Sequence, residues 1–137
     1  MKTSRLLMGL ALLAVAMSCE PVAPTPDTIL GTYQLRETLF DPGDGSGEYQ
    51  SVESDFMVTF KSRDRFEANG TVCDQTVRAL VHTKGDYDLA EGLIEVESCY
   101  TDTNDTMTLY LTHNGLELII GLPCIEGCGL KFEKIAD

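Results

Sequence analysis

From Ile29 to the C-terminus, apolar and polar residues alternate along the chain. In the first run, Tyr33 and Leu35 fall on one face and Gln34 and Arg36 on the other, which is the pattern of a half-buried β-strand. The alternation recurs in seven later runs and therefore predicts eight strands; only residues 75–79 also fit a single helical turn. The apolar positions of the later runs are Phe56, Val58 and Phe60; Phe66 and Ala68; Val77, Ala79 and Val81; Ile94 and Val96; Met107, Leu109 and Leu111; Leu116, Leu118, Ile120 and Leu122; and Leu130 and Phe132.

The connections between these runs favour neighbouring antiparallel strands. Asn114-Gly115 is a strong hairpin signal, because a type I′ turn needs positive φ at both central positions. Residues 62–64 and 90–92 are short enough for hairpin loops, whereas residues 41–54 form one long loop rich in turn-forming residues. Because closure removes unpaired sheet edges, we expect an all-β fold, an eight-stranded antiparallel up-and-down barrel; a two-sheet β-sandwich is the alternative.

The N-terminus has the pattern of an export signal. Lys2 and Arg5 precede an uncharged apolar stretch over residues 6–17, which is too short for a mature membrane span of roughly 20 residues. The ending Ala16-Met17-Ser18-Cys19 resembles the lipobox of bacterial lipoproteins, although Ala16 stands where a larger aliphatic residue is usual. The resemblance implies that residues 1–18 are removed and that Cys19 carries the lipid. An ordinary signal peptide cut nearby is the alternative.

Residues 19–28 are predicted to form a tether and residues 29–137 the folded domain. Three prolines between residues 21 and 26 favour an extended, solvated chain. Removal of residues 1–18 would take the formal net charge from −12 to −14, which disfavours nucleic acid as a partner. Glu20 follows the lipobox cysteine where inner-membrane lipoproteins typically have Asp. Resemblance to lipoproteins therefore implies anchoring in the outer membrane, facing the periplasm or the cell surface.

Four cysteines remain in the domain, an even number that suits disulfides in an oxidising compartment. Of three possible connectivities we favour Cys124 with Cys128, around a short loop, and Cys73 with Cys99. A four-thiolate zinc site is the alternative, but its spacing differs from the usual C-x2-C pairs.

The chain has no pattern that predicts catalysis, a metal or a cofactor. The sequence contains no Gly-x-Ser-x-Gly elbow, His-Glu-x-x-His motif or glycine-rich phosphate loop. His82 and His113 have no second ligand at metal-binding spacing, so we interpret both as surface residues. Two acidic runs could supply oxygen ligands for calcium, but turn chemistry explains both: Asp41, Asp44 and Glu48, and Asp102, Asn104 and Asp105.

Several motifs together resemble one bacterial family. Gly31-Thr32-Tyr33 resembles the Gly-x-Trp signature of lipocalins. With the stretches at residues 41–47, 69–73 and 123–128, the chain is similar to the small lipocalin-like lipoproteins of Gram-negative bacteria, which have no established common activity. The resemblance implies an eight-stranded barrel on a lipid tether. Tyr33 replaces the tryptophan and the chain contains no Trp, so the plug at the closed end must be built differently.

Three functions are compatible with these patterns. The first is binding of a small apolar ligand inside the barrel, with the loop over residues 41–54 as a movable lid. The second is an adaptor or structural envelope lipoprotein with a filled barrel, which binds a protein partner through its loops. An unrecognised hydrolase ranks lowest. A calyx above about 300 Å³ favours the carrier, and its expected lining is Tyr33, Leu35, Phe56, Val58, Phe60, Phe66, Leu109, Leu118 and Ile120.

Replacing the lipobox cysteine tests the predicted address. In Cys19→Ser the thiol that would carry the lipid is absent, and the acidic body has no other affinity for a membrane, so the variant is expected in soluble fractions. Cell fractionation with immunoblotting measures this, with the wild type as control. A variant that still fractionates with the outer membrane would contradict the tether.

Overall fold

The protein is described by a computed structural model over residues 28–97, 99 and 106–137. The predicted signal peptide, Cys19 and the rest of the tether up to residue 27 lie outside these residues. Within them the chain forms nine strands and no helix. The strands are β1 (Gly31–Phe40), β2 (Tyr49–Ser51), β3 (Met57–Lys61), β4 (Arg65–Ala68), β5 (Thr83–Asp88), β6 (Leu93–Glu97), β7 (Thr106–His113), β8 (Glu117–Leu122) and β9 (Cys128–Ala136).

Eight of these strands form a closed antiparallel barrel. From β3 to β9 each strand pairs with the next one in the chain, and β1 pairs with both β3 and β9. The short strand β2 is additional and pairs with β1 beyond the end of β3. The predicted up-and-down barrel is therefore confirmed, and the alternative of a two-sheet sandwich is not observed.

The pairing of β1 with β9 closes the ring. It extends from Thr32 opposite Ala136 to Phe40 opposite Cys128, and two register shifts interrupt it within β1. Such irregularities bend a strand and increase its twist, as a closed barrel requires. The other edge of β1 is shared, because β3 covers its first part and β2 its last part.

The alternation in the sequence becomes an inside and an outside in the barrel. In β8, for example, Leu118, Ile120 and Leu122 are buried while the residues between them are partly exposed. All of the side chains predicted to line the barrel are in its core, each at most 2% exposed: Tyr33, Leu35, Phe56, Val58, Phe60, Phe66, Leu109, Leu118 and Ile120.

One predicted strand is wrong. Residues 77–81 are not a strand, and the fifth strand of the barrel wall follows at Thr83–Asp88. The inward positions of β5 are Thr83, Gly85 and Tyr87, of which only the tyrosine is a large apolar side chain. Alternating hydrophobicity is therefore stronger in the neighbouring loop than in the strand itself. The single helical turn considered for residues 75–79 does not form either.

The loops follow the sequence predictions with two exceptions. Residues 62–64 connect β3 to β4 and residues 89–92 connect β5 to β6, as hairpin loops. The long loop predicted over residues 41–54 contains β2. The hairpin at Asn114-Gly115 is present, but φ is positive at Gly115 (93°) and not at Asn114. The Asn114 side chain instead accepts hydrogen bonds from the amides of Leu116 and Glu117.

The barrel has two ends, which we call proximal and distal. The proximal end is where residue 28 leads into β1, together with the turns at 62–64, 89–92 and 114–116. The distal end carries the loops at residues 41–48, 69–82 and 123–127. If a tether precedes residue 28, it joins the barrel at the proximal end.

Both favoured disulfides are present, and both lie at the distal end. Cys73 pairs with Cys99 at a Cα–Cα distance of 5.6 Å, and Cys124 pairs with Cys128 at 5.8 Å. The four thiols are thus used in disulfides, which excludes the zinc alternative.

The two disulfides close loops of very different length, and this predicts different effects on stability. Sequence separations of 26 and 4 residues correspond to about 3.5 and about 2 kcal/mol of chain-entropy stabilisation. We expect Cys73→Ala with Cys99→Ala to lower the free energy of unfolding more than Cys124→Ala with Cys128→Ala. Denaturant titration under non-reducing conditions measures both; equal or reversed losses would contradict the chain-entropy account.

Candidate functional site

The interior of the barrel is filled by its own side chains. A side chain that lines an empty calyx is exposed to that space, but each of the nine predicted lining residues is at most 2% exposed. Aromatic rings account for much of the packing. The Phe60 ring lies 6.0 Å from Tyr33, 5.9 Å from Phe66 and 5.0 Å from Tyr87, measured between centroids. These residues form a core, as small barrels require.

Tyr33 plugs the proximal end of the barrel. Its ring packs edge to face against Phe60 and His113, with centroid distances of 6.0 and 6.1 Å. The ammonium of Lys134 lies 5.9 Å from the centre of the same ring. Burial and the nearby charge of Asp137 raise the pKa of Tyr33 to about 12, so the phenol stays neutral. The plug is therefore built from a tyrosine, a histidine and a lysine.

Gly31 explains the first position of the Gly-x-aromatic motif. Its φ is 129°, and a Cβ atom there would lie 2.5 Å from the backbone oxygen of Ala136. Glycine thus lets β1 approach the end of β9 closely, while Tyr33 two residues later points into the barrel. The motif has a structural role at the seam where the barrel closes.

His113 is part of this plug, which differs from the surface position predicted for it. Its Nε2 accepts a hydrogen bond from the Gly115 amide at 3.0 Å and lies 3.1 Å from the Tyr33 hydroxyl. Because the amide can only donate, Nε2 carries no proton, and the hydroxyl donates to it as well. Burial, with a smaller contribution from Lys134, lowers the pKa of His113. His82, by contrast, is exposed as expected.

Residues 69–82 cross the distal end of the barrel. Val72 is fully buried in the core, and the disulfide ties this segment to Cys99, two residues beyond β6. The Gln75 side-chain amide donates a hydrogen bond to the backbone oxygen of Leu39 in β1. Since β6 and β1 are opposite each other in the ring, the segment spans the opening from wall to wall.

The cover is also bonded to the link between β2 and β3. The Ser54 hydroxyl donates to the backbone oxygen of Val77, and the Ala79 amide donates to the Asp55 carboxylate at 3.3 Å. The loop within residues 41–54, expected as a movable lid over an open calyx, lies at this same end. The chain that crosses the opening is residues 69–82. In the sequence, the signal for this cover is Val72 next to a cysteine in a stretch outside the predicted strands.

One carboxylate binds three backbone amides of the loop after β1. Asp41 accepts hydrogen bonds from the amides of Gly43, Gly45 and Gly47 at 2.8, 3.1 and 3.1 Å. These bonds, that of Gly43 above all, hold the pKa of Asp41 below its ordinary value. The Asp41 amide in turn donates to the Gly127 carbonyl at 3.1 Å, which joins this loop to the disulfide-closed turn at residues 124–128. The Asp41 carboxylate thus stabilises the loop after β1.

Two apolar side chains project from these joined loops. Phe40, the last residue of β1, is 67% exposed, and Ile125, inside the disulfide-closed turn, is fully exposed. The loops that carry them are fixed by the Asp41 hydrogen bonds and by the Cys124–Cys128 disulfide. Exposed apolar side chains on a fixed support are typical of protein-binding surfaces. Sequence patterning did not identify this surface.

Charge is distributed unevenly between the wall and the distal end. On the wall, Arg65 bonds to Asp86 and Glu97 at 2.9 and 3.0 Å, and Lys131 to Glu37 at 3.2 Å. The distal segments contain a single Lys or Arg residue, Arg78; these segments are residues 41–55, 69–82 and 123–127. None of their carboxylates forms an ion pair within the described part of the chain: Asp41, Asp44, Glu48, Glu53, Asp55, Asp74 and Glu126.

In residues 28–97, 99 and 106–137, no three potential metal-ligating side chains cluster together. The acidic run Asp102, Asn104 and Asp105 lies outside them. No helix in the same part of the chain has the length and apolar character needed to cross a bilayer.

A depression of about 580 Å³ lies outside the core at the proximal end, lined by Asn114, Leu116, Glu117, Glu133 and Lys134.

Comparison with known proteins found no matching family model, no similar curated protein and no similar solved structure. The barrel fold rests on the structure alone, and the resemblance to lipocalin-like lipoproteins stays a prediction.

The plug predicts a loss of stability in acid. Folding lowers the pKa of His113, so the neutral form of the imidazole stabilises the fold. This stabilisation is complete above the unfolded-state pKa of about 6.5 and declines as the pH falls through and below that value. We expect His113→Gln to flatten this part of the stability profile, measured by denaturant unfolding at several pH values. His82→Gln, at an exposed histidine, is the matched control. An identical acid loss in His113→Gln would contradict the assignment.

Proposed function

We propose that this protein is an exported outer-membrane lipoprotein whose lipocalin-like barrel is an adaptor that binds a protein partner at its distal end. The observation that carries the proposal is the filled interior, in which the nine predicted lining residues are at most 2% exposed. Val72 and the rest of segment 69–82 cover one end, and Tyr33 plugs the other. Recognition on the outside of the barrel fits this construction better than a ligand inside it.

The distal end has the properties of a protein-binding surface. Phe40 and Ile125 provide exposed apolar anchors, and the disulfide at Cys124–Cys128 limits the entropy lost when the turn binds. Around them are carboxylates without cation partners among the described residues, which favour a partner with a basic surface. An apolar anchor within a charged rim is a common arrangement in protein interfaces.

The proposed anchor suits this orientation. Residue 28 lies at the proximal end, so a lipid on Cys19 would attach the barrel from that end and leave the distal end available on the far side. Ile29 is the tenth residue after Cys19, and a fully extended chain over those ten steps spans roughly 35 Å. The barrel therefore has enough reach to meet a partner beyond the lipid headgroups.

The apolar-ligand hypothesis stays a prediction, and the packing of the core weighs against it. A ligand of ordinary size needs roughly 300 Å³ or more, and Phe60 has three aromatic neighbours within 6.0 Å. Binding would require these rings or segment 69–82 to move.

Site-specific photo-crosslinking tests the adaptor function. A photoreactive amino acid is placed at residue 125 or 40 in cells that export the lipidated protein, and at Tyr110 as control, because Tyr110 is an exposed side chain on the wall. We expect a discrete adduct at the two distal positions and little or none at residue 110. No distal adduct, or the same adducts at residue 110, would contradict the proposal.

A probe-binding assay on the purified protein distinguishes an adaptor from a carrier. For an adaptor, purified mature domain is expected to show no saturable binding of a fluorescent apolar probe while circular dichroism shows it folded. Saturable binding whose affinity changes in Phe60→Leu, a mild change inside the core, would move the conclusion to the carrier.

A further inference from the structure

One strand edge of the barrel is left unpaired. The ring from β1 through β3 to β9 is closed, so each of its eight strands has a neighbour on both sides. Strand β2 pairs with β1 alone, at Leu39–Tyr49, Thr38–Gln50 and Glu37–Ser51. Among the strands that the structure describes, β2 is therefore the one with a free edge. An unpaired edge offers backbone donors and acceptors to another chain.

A single hydrogen bond determines which residues face outward. The Val52 amide donates to the backbone oxygen of Arg36 in β1 at 2.8 Å. Backbone groups alternate sides along a strand, so those of Gln50 also point to β1. The N–H and C=O groups of Tyr49 and Ser51 then point away from β1, along the unpaired edge, and Ser51 is exposed.

Acidic side chains flank this edge. Glu48 precedes β2 and Glu53 follows it, and both are exposed. Neither forms an ion pair with any described cation. The edge lies at the distal end, one strand away from Phe40 and on the same side of the molecule as the apolar anchors.

We propose that the free edge of β2 binds an extended segment of a basic protein partner by strand addition. The partner's backbone pairs with Tyr49 and Ser51, and its lysine or arginine side chains lie beside Glu48 and Glu53. This inference rests on the proposed adaptor function and gives the partner its chemistry. Main-chain pairing supplies affinity in such complexes, and the flanking side chains supply specificity.

The same features oppose pairing between two copies of this chain. Short edge strands with charged flanks resist edge-to-edge association, and two copies would bring Glu48 and Glu53 of each close to those of the other. Glu48 and Glu53 attract a basic strand and repel a second copy of this acidic chain. The edge is thereby selective by charge.

Peptide binding tests the proposal on the mature lipidated protein in neutral detergent micelles. The probe is a ten-residue peptide of alternating lysine and threonine, and the control peptide has glutamate in place of lysine. We expect the lysine peptide to slow amide hydrogen exchange at Tyr49 and Ser51 at least tenfold, and the glutamate peptide to have no effect. No protection at these two amides, or equal protection by both peptides, would overturn the proposal.

Variants at the edge sharpen the test. Ser51→Pro removes an outward amide without breaking a bond to β1, so it should weaken lysine-peptide binding at least tenfold, whereas Ser51→Thr keeps the amide and should bind normally. Glu48→Lys with Glu53→Lys should weaken binding similarly and serves if Ser51→Pro fails to fold. Undiminished binding in either folded variant overturns the strand-addition mode.

Failure of this mode and failure of the adaptor function give different results. If the adduct at residue 125 forms but is undiminished in folded Ser51→Pro or in Glu48→Lys with Glu53→Lys, the adaptor function stands and strand addition falls. If no distal adduct forms, the adaptor function fails, and strand addition as its mode fails with it.

Discussion

The pairing of β1 with β9 is the interaction on which the rest of the structure depends. It joins the two longest strands, the first and the last of the ring, from Thr32–Ala136 to Phe40–Cys128. Without it the same strands would form an open sheet with two exposed edges and one uncovered face. Gly31 permits this seam, because a side chain there would collide with the backbone of Ala136. With β9 on one edge of β1, the other edge receives both β3 and β2.

Closure creates an interior, and the sizes of the side chains decide that it is filled. Phe56, Phe60, Phe66 and Phe132 all point inward and are buried. Residues 69–82 cover the part of the distal opening that the rings do not fill. The disulfide from Cys73 to Cys99 attaches this segment to the opposite wall. The barrel is then a rigid support, and its loops are the part available for recognition.

The support and the proposed binding surface differ in their electrostatics. Wall charges pair across strands, as Arg65 does with Asp86 and Glu97, and such exposed pairs contribute little stability individually. At the distal end Asp41 accepts hydrogen bonds from three loop amides, and none of the carboxylates there has a cation partner among the described residues. A surface of this kind favours basic partners and repels a second copy of the chain.

Sequence alone determined the class of fold and the barrel lining, because a period of two is a local signal, and its even number of cysteines predicted disulfides; the structure decided between the three possible pairings. Only the tertiary structure decided that the strand lies at Thr83–Asp88 and not at residues 77–81. The inward positions Thr83 and Gly85 contribute little hydrophobicity, and their burial comes from Phe66 and the neighbouring strands rather than from their own chemistry. The partly buried place of His113, the cover formed by residues 69–82 and the free edge of β2 likewise depend on contacts between residues distant in sequence, which periodicity does not encode.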